Sequence, residues 1–234
     1  MGHDEVLGEA MDQLHGGWNR EGPSAQTLYN GTVTRSIDYV DLRAPQPDED
    51  VNALIVREMM ELLQHITGTN FLEHEHMQRT PERFVNMLRE LTTPEVFEFT
   101  VFDNTQGLDE MITLEGIPFY TLCAHHIVPF FGYAHVAYIS QNSIAGLSKI
   151  PRAVKALAKG LNVQENLTVD IADFLEAKLE PLGVAVVLKA EHLCMAMRGV
   201  QAPGVITTTS AMRGVFADHA RTAKAEFLGG INGR

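Results

Sequence analysis

The chain has only two cysteines, Cys123 in TLCAHHIVPF and Cys194 in HLCMAMRG, and each stands two residues from a histidine. If one ion holds both thiolates, two segments far apart in sequence must meet at a point, which removes most ways of folding what lies between them. The opening MGHDEVLGEAMDQLHGG has neither a basic start nor an apolar core of the kind a secretory signal needs. No uninterrupted apolar run reaches the length of a membrane span. The expected compartment is therefore the cytoplasm, where two cysteines serve as free thiols, metal ligands or nucleophiles before they form a disulfide.

Strand periodicity sharpens the second half of the pattern. Read as one long strand over 183–197, GVAVVLKAEHLCMAM places His192, Cys194 and the following Arg198 on one face, with Val186 and Leu188 upstream. In the first half, Cys123 and His126 are three apart and would point oppositely in a flat strand. Both can ligate only if the chain turns there, and HHIVPFFG, with Pro129 close behind, permits the turn. Two thiolates and one imidazole suit zinc, and three protein ligands leave a fourth position for water. No third cysteine exists to close the site, although His125, His192 or a carboxylate would serve. Spacing alone also admits buried core thiols beside incidental histidines. A zinc base deaminase is disfavoured, because its H-x-E and P-C-x-x-C pairing is absent.

Length and patterning set the frame around this constellation. A chain of 234 residues holds one large domain, or a core domain with a helical extension. Residues 1–48, closing with APQPDED, lack steady periodicity and read as a flexible arm. A helical segment is expected over 49–95. Val51, Ile55, Met59, Leu62 and Ile66 recur at helical spacing before Gly68, and Thr80-Pro81 opens a second helix with the stripe Phe84, Met87, Leu88, Leu91. The remainder, 96–234, carries strand signals at 110–122, 132–140, 183–197 and 205–212, with helices near 151–160, 164–180 and 218–231. The class is α+β, with helices on one face of a mainly antiparallel sheet. A formal net charge of −12 argues against nucleic acid as partner, but a small phosphorylated ligand needs only a local cationic cluster.

Several separated motifs together resemble the GTP cyclohydrolase I family: TPERF at 80, DEM at 109, CAHH at 123, GLSKIPR at 146, VQENLT at 163, HLCMAMRG at 192 and TTTS at 207. They run over about residues 50–231 in the family's order, and the combination is far more specific than C-x-H-H alone. The resemblance implies the tunnelling fold, in which several subunits build a β-barrel, and a homo-oligomer, commonly a decamer, with active sites at subunit contacts. It implies Zn²⁺ held by Cys123, His126 and Cys194. His125 and His192 would be the acid/base groups, and Ser148 a polar helper near the ribose. Gln164 and Glu165 would read the guanine. Lys149, Arg152 and Arg198 would hold the triphosphate, joined by Arg83 from a neighbouring subunit. The implied reaction opens the imidazole ring of GTP to give 7,8-dihydroneopterin triphosphate and formate, a step of pterin and tetrahydrofolate biosynthesis.

Residue chemistry agrees with that reading. Guanine C8 is a poor electrophile until N7 is protonated, and histidine supplies a proton near neutral pH. Taken singly, the motifs are weak. A Gln-Glu pair at a helix start is ordinarily capping and solvation, and Thr207 to Ser210 read first as strand residues. His135 reads as a packed or surface histidine, and His74 with His76 as a solvated loop. Ala124 departs from the family, which usually has Glu there. A carboxylate beside two histidines orients an imidazole or raises its pKa, so its absence bears on rate and pH optimum and removes no ligand. The alternative to an enzyme is a regulatory paralogue that keeps zinc and nucleotide and has lost turnover.

Overall fold

The computed structural model describes residues 39–40, 49–218 and 222–231, so the arm expected over 1–48 lies outside the described residues except at 39–40. The described chain divides into two compact units, 49–93 and 94–231, the second including 39–40. There β1 (Tyr39–Val40) pairs antiparallel with β2 (Phe97–Glu98).

The first unit is helical. α1 (Glu49–Thr67) stops at Gly68, whose N–H returns to the Gln64 carbonyl at 2.9 Å with φ of +67°, a conformation that costs a Cβ-bearing residue more. α2 (Thr80–Thr92) carries Pro81 in its first turn and buries Pro81 and Val85. Leu62, Ile66 and Met87, which the periodicity assigns to buried faces, are exposed. Two helices alone cannot cover the whole of each other's stripes.

In the second unit, β3 (Val101–Asp103) precedes two long strands, β4 (Met111–Cys123) and β5 (Pro129–Ile139), and β6 (Ser143–Ala145) pairs back on β3. α3 (Lys149–Leu157), β7 (Leu161–Asn162) and α4 (Gln164–Leu179) follow. Then come β8 (Gly183–His192), the four-residue helix α5 (Leu193–Ala196), β9 (Ile206–Gly214) and α6 (Ala223–Ile231). The main sheet has the order β7-β4-β5-β8-β9, antiparallel apart from the short β4–β7 pair. A register shift between Leu114 and Ile117 places Gly116 at φ of +67°, as expected of a bulge built on glycine.

The run VAVVL in β8 is buried on both faces, which explains why it lacks polar alternation. Val184, Val186 and Leu188 join the core with Ile150, Val154, Leu167, Ile171 and Leu175 of α3 and α4. Ala185 and Val187 face the opposite way, against Phe216, Phe227 and Ile231. Helices on one face only is therefore corrected: α3 and α4 cover one side, while α6 and Phe216 cover part of the other.

The strand expected over 183–197 ends at His192, and Cys194 lies in α5. The reason is loss of neighbours. The β5 ladder reaches His192 only at Phe130, and Pro129 before it has no N–H to continue; β9 pairs no further than Glu191. Past that point the chain coils, with Met197 N–H on the Leu193 carbonyl at 3.0 Å. His192, Cys194 and Arg198 do not share a strand face.

Candidate metal centre and active site

The β4–β5 connection makes the turn that the motif requires. The Cys123 carbonyl accepts from the N–H groups of His126 and Ile127 at 3.2 and 2.8 Å, and Cys123 N–H donates to Val128 O at 2.9 Å. Ile127 adopts φ of +54°, unusual for a β-branched residue, and so carries strain in the tight loop. Ala124 N–H bonds the Asn162 carbonyl at 3.0 Å, tying the turn to β7. Asn162 in turn donates to Thr121 Oγ1 and the Ala158 carbonyl, at 2.8 and 3.1 Å.

α5 brings Cys194 to this turn. The ligand atoms of Cys123, His126 and Cys194 all lie within 4.8 Å of one another, with Cys123 buried, Cys194 half-buried and His126 exposed. Cys123 Sγ stands 3.9 Å from His126 Nδ1. Tetrahedral zinc at ordinary bond lengths separates such ligand atoms by about 3.5–3.8 Å, so the donor set and spacing fit that ion with small adjustments. Burial pushes the Cys194 thiol above its usual range, and the neighbouring Cys123 adds to the shift. A bound cation would reverse this by favouring thiolate.

The other two motif histidines, His125 and His192, stand outside this group. His125 Nδ1 lies 3.8 Å from Cys123 Sγ, and its ring is exposed. His192, at the end of β8, is stacked on Phe130 with centroids 4.4 Å apart and planes 7° from parallel. Burial lowers the His192 pKa below the ordinary imidazole value, while the Glu165 carboxylate raises it in part.

α4 begins beside this end of the sheet because β7 pairs with β4 at Cys123–Asn162, two residues before Gln164. Its first two residues differ sharply. Gln164 is 1% exposed, with its side-chain oxygen 2.7 Å from His192 Nε2. Glu165 is exposed and makes no hydrogen bond or salt bridge among the described residues. At the start of α3, Ser148 and Arg152 are exposed and Lys149 half-buried, and Ser148 makes no side-chain capping bond. Arg198 is exposed just beyond α5, close enough for its charge to favour Cys194 thiolate. Arg83 is exposed on α2, in the other compact unit. His74 and His76 are exposed and stand outside the metal-ligand group. His135 accepts a bond from Gly116 N–H at 3.4 Å, at the β4 bulge.

A family model for GTP cyclohydrolase I matches residues 48–232. The chain belongs to the GTP cyclohydrolase I family. It is 49% identical over 161 residues to the GTP cyclohydrolase 1 of Aquifex aeolicus, covering 69% of this chain and 87% of that one. The namesake protein of Hydrogenobaculum sp. is 49% identical over 157 residues, 67% of this chain and 86% of its own. That of Synechococcus sp. (strain JA-3-3Ab) is 41% identical over 202 residues, 84% of this chain and 86% of its own. The family match includes every motif residue singled out in the sequence. The motifs contain Phe130, Thr168 and Thr209 but give them no role; the structure sets Phe130 against His192 and places Thr168 and Thr209 around Gln164. Phe130 is an ordinary strand aromatic by sequence, and only strand pairing shows that it faces His192. No helix among the described residues is long and apolar enough to cross a membrane.

Proposed function

We propose that this chain is a zinc-dependent GTP cyclohydrolase, opening the guanine imidazole ring of GTP to give 7,8-dihydroneopterin triphosphate and formate. The observation that carries the reading is the convergence of Cys123, His126 and Cys194 within 4.8 Å, with two further histidines beside the group and outside it. Those three residues would hold the ion. When bound, zinc supplies Lewis-acid chemistry, the activation of water near neutral pH.

The protein's own residues supply the rest. His125 moves the proton at guanine N7 that makes C8 electrophilic, and His192 serves the later proton transfers of ribose opening and ring closure, with Ser148 alongside. Glu165 accepts from the N1–H and amino group of guanine; it makes no hydrogen bond or salt bridge among the described residues and stands in the first turn of α4, where the helix dipole favours an anion. Lys149 and Arg152, in the opening turns of α3, and Arg198 bind the triphosphate, combining cationic side chains with a helix N-terminus. Arg83 contributes from a neighbouring subunit in a tunnelling-fold homo-oligomer, a decamer. That cationic set reconciles a phosphorylated substrate with a net charge of −12.

Zinc-loaded protein incubated with GTP should release formate and yield a pterin that fluoresces after oxidation. Zinc and GTP bound without formate would replace this reading with the regulatory paralogue.

A further inference from the structure

Gln164 is a fully buried polar residue beside the site, and both the nitrogen and the oxygen of its amide have partners. Its Nε2 lies 3.3 Å from the Leu188 carbonyl, 3.0 Å from the Thr207 carbonyl and 3.1 Å from Thr209 Oγ1. Carbonyl oxygens only accept, so the atom facing them is the NH2. The threonines impose the same orientation independently. Thr168 Oγ1 donates its one hydrogen to the Gln164 backbone carbonyl at 2.7 Å. The 2.6 Å contact between Thr168 Oγ1 and Thr209 Oγ1 must then be donated by Thr209. With that hydrogen spent, Thr209 can only accept from the amide.

Amide orientation is thus fixed from two directions, and Gln164 Oε1 faces His192 Nε2 at 2.7 Å. An amide oxygen has no hydrogen to give, so His192 Nε2 carries the proton, and in the neutral ring Nδ1 is left as the acceptor. Nδ1 has no hydrogen-bond partner among the described residues. Phe130, stacked 4.4 Å from the ring, restricts its rotation.

We propose that Gln164 is a positioning residue that holds His192 in the Nε2–H tautomer, so that Nδ1 is the nitrogen available to exchange protons with substrate. Thr168 and Thr209 act behind it by fixing the amide. This deepens the cyclohydrolase reading, on which the role of Nδ1 rests, while the tautomer itself stands independently of it. It also moves Gln164 from reading guanine to holding His192. An amide whose NH2 and oxygen are both engaged inside the protein would have to break some of those bonds to turn towards a base.

The test uses zinc-loaded, full-length protein labelled with ¹⁵N-histidine, studied by solid-state NMR, with His192→Gln identifying the His192 signals by difference. A protonated Nε2 and a bare Nδ1 are expected near neutral pH; a protonated Nδ1 with a bare Nε2 overturns the proposal. Kinetics form the second arm. Gln164→Met should lower kcat for formate release by about 10–100-fold, the scale of orienting partners behind an active group, with KM for GTP within about twofold. Because Gln164 is buried, Thr209→Val covers the case in which Gln164→Met does not fold. It should lower kcat in the same direction, and Thr209→Ser, which restores the hydroxyl, should recover most of the loss. A raised KM at unchanged kcat in Gln164→Met, or Thr209→Ser as impaired as Thr209→Val, refutes the role. If the wild type releases no formate, the cyclohydrolase reading fails, and the NMR arm still decides the tautomer.

Discussion

Substitution of Glu165 by Gln tests the base-recognition role proposed for that residue. Glu165 is exposed in the first turn of α4 and makes no hydrogen bond or salt bridge among the described residues, so Glu165→Gln removes no contact that holds the fold. Its neighbour Gln164 is fully engaged with His192, Leu188, Thr207 and Thr209, leaving Glu165 as the free acceptor of the pair. A carboxylate receives both guanine donors, N1–H and the amino group, through charge-assisted bonds. The amide keeps one acceptor and turns an NH2 towards the second donor. Losing the charged pair should cost about 1.5–3 kcal/mol. That is a GTP affinity weakened about 10–150-fold. Titration calorimetry on zinc-loaded protein measures it directly, with ATP as the companion ligand. Adenine offers an acceptor at N1 and leaves the carboxylate unpaired, so the wild type should strongly prefer GTP. Unchanged GTP affinity in Glu165→Gln, or equal affinity of the wild type for ATP and GTP, would refute the assignment.

Elemental analysis should find one zinc per chain in the wild type and a substoichiometric amount in Cys194→Ala; full occupancy in the variant would remove Cys194 from the ligand set. His125→Ala should keep GTP affinity and lose about 10²–10⁴-fold in formate release, the scale of an acid/base group. Mixed with an equally inactive Arg83→Ala, it should regain part of that activity through hybrid sites, whereas a monomer in light scattering would exclude the shared-site model. His135 offers a pH test away from the candidate metal ligands. Burial, and then the Lys189 charge, lower its folded pKa below the ordinary 6.5. The unfolded chain therefore binds the proton first, and stability is lost as pH falls below about 6.5. His135→Gln should lessen the fall in melting temperature between pH 7.5 and pH 5.5; an identical fall would show that His135 does not contribute.

Elements whose information is local could be read from the chain alone. α4 was legible because Leu167, Ile171, Phe174, Leu175 and Leu179 recur at helical spacing, and all are buried in the structure. The β8–β9 pairing was legible because two strand-like runs follow one another. The candidate metal group was half legible: two cysteines with neighbouring histidines limited the ligands it could use, and the turn at His126 followed from Pro129 and the three-residue spacing. Tertiary structure decided where β8 ends, because a strand continues only while a neighbour offers backbone donors and acceptors, and Pro129 offers no N–H. It also covered both faces of that strand, a fact hidden in an apolar run that has no alternation to read. Above all it decided what Gln164 does. Beside Glu165 in sequence the two look like one recognition pair, and only the meeting of α4 with β8 and β9 buries the first against His192 and leaves the second in solvent. Hydrogen-bond partners supplied by residues 24 to 45 positions away leave no periodicity in the chain; they exist only once the sheet has formed.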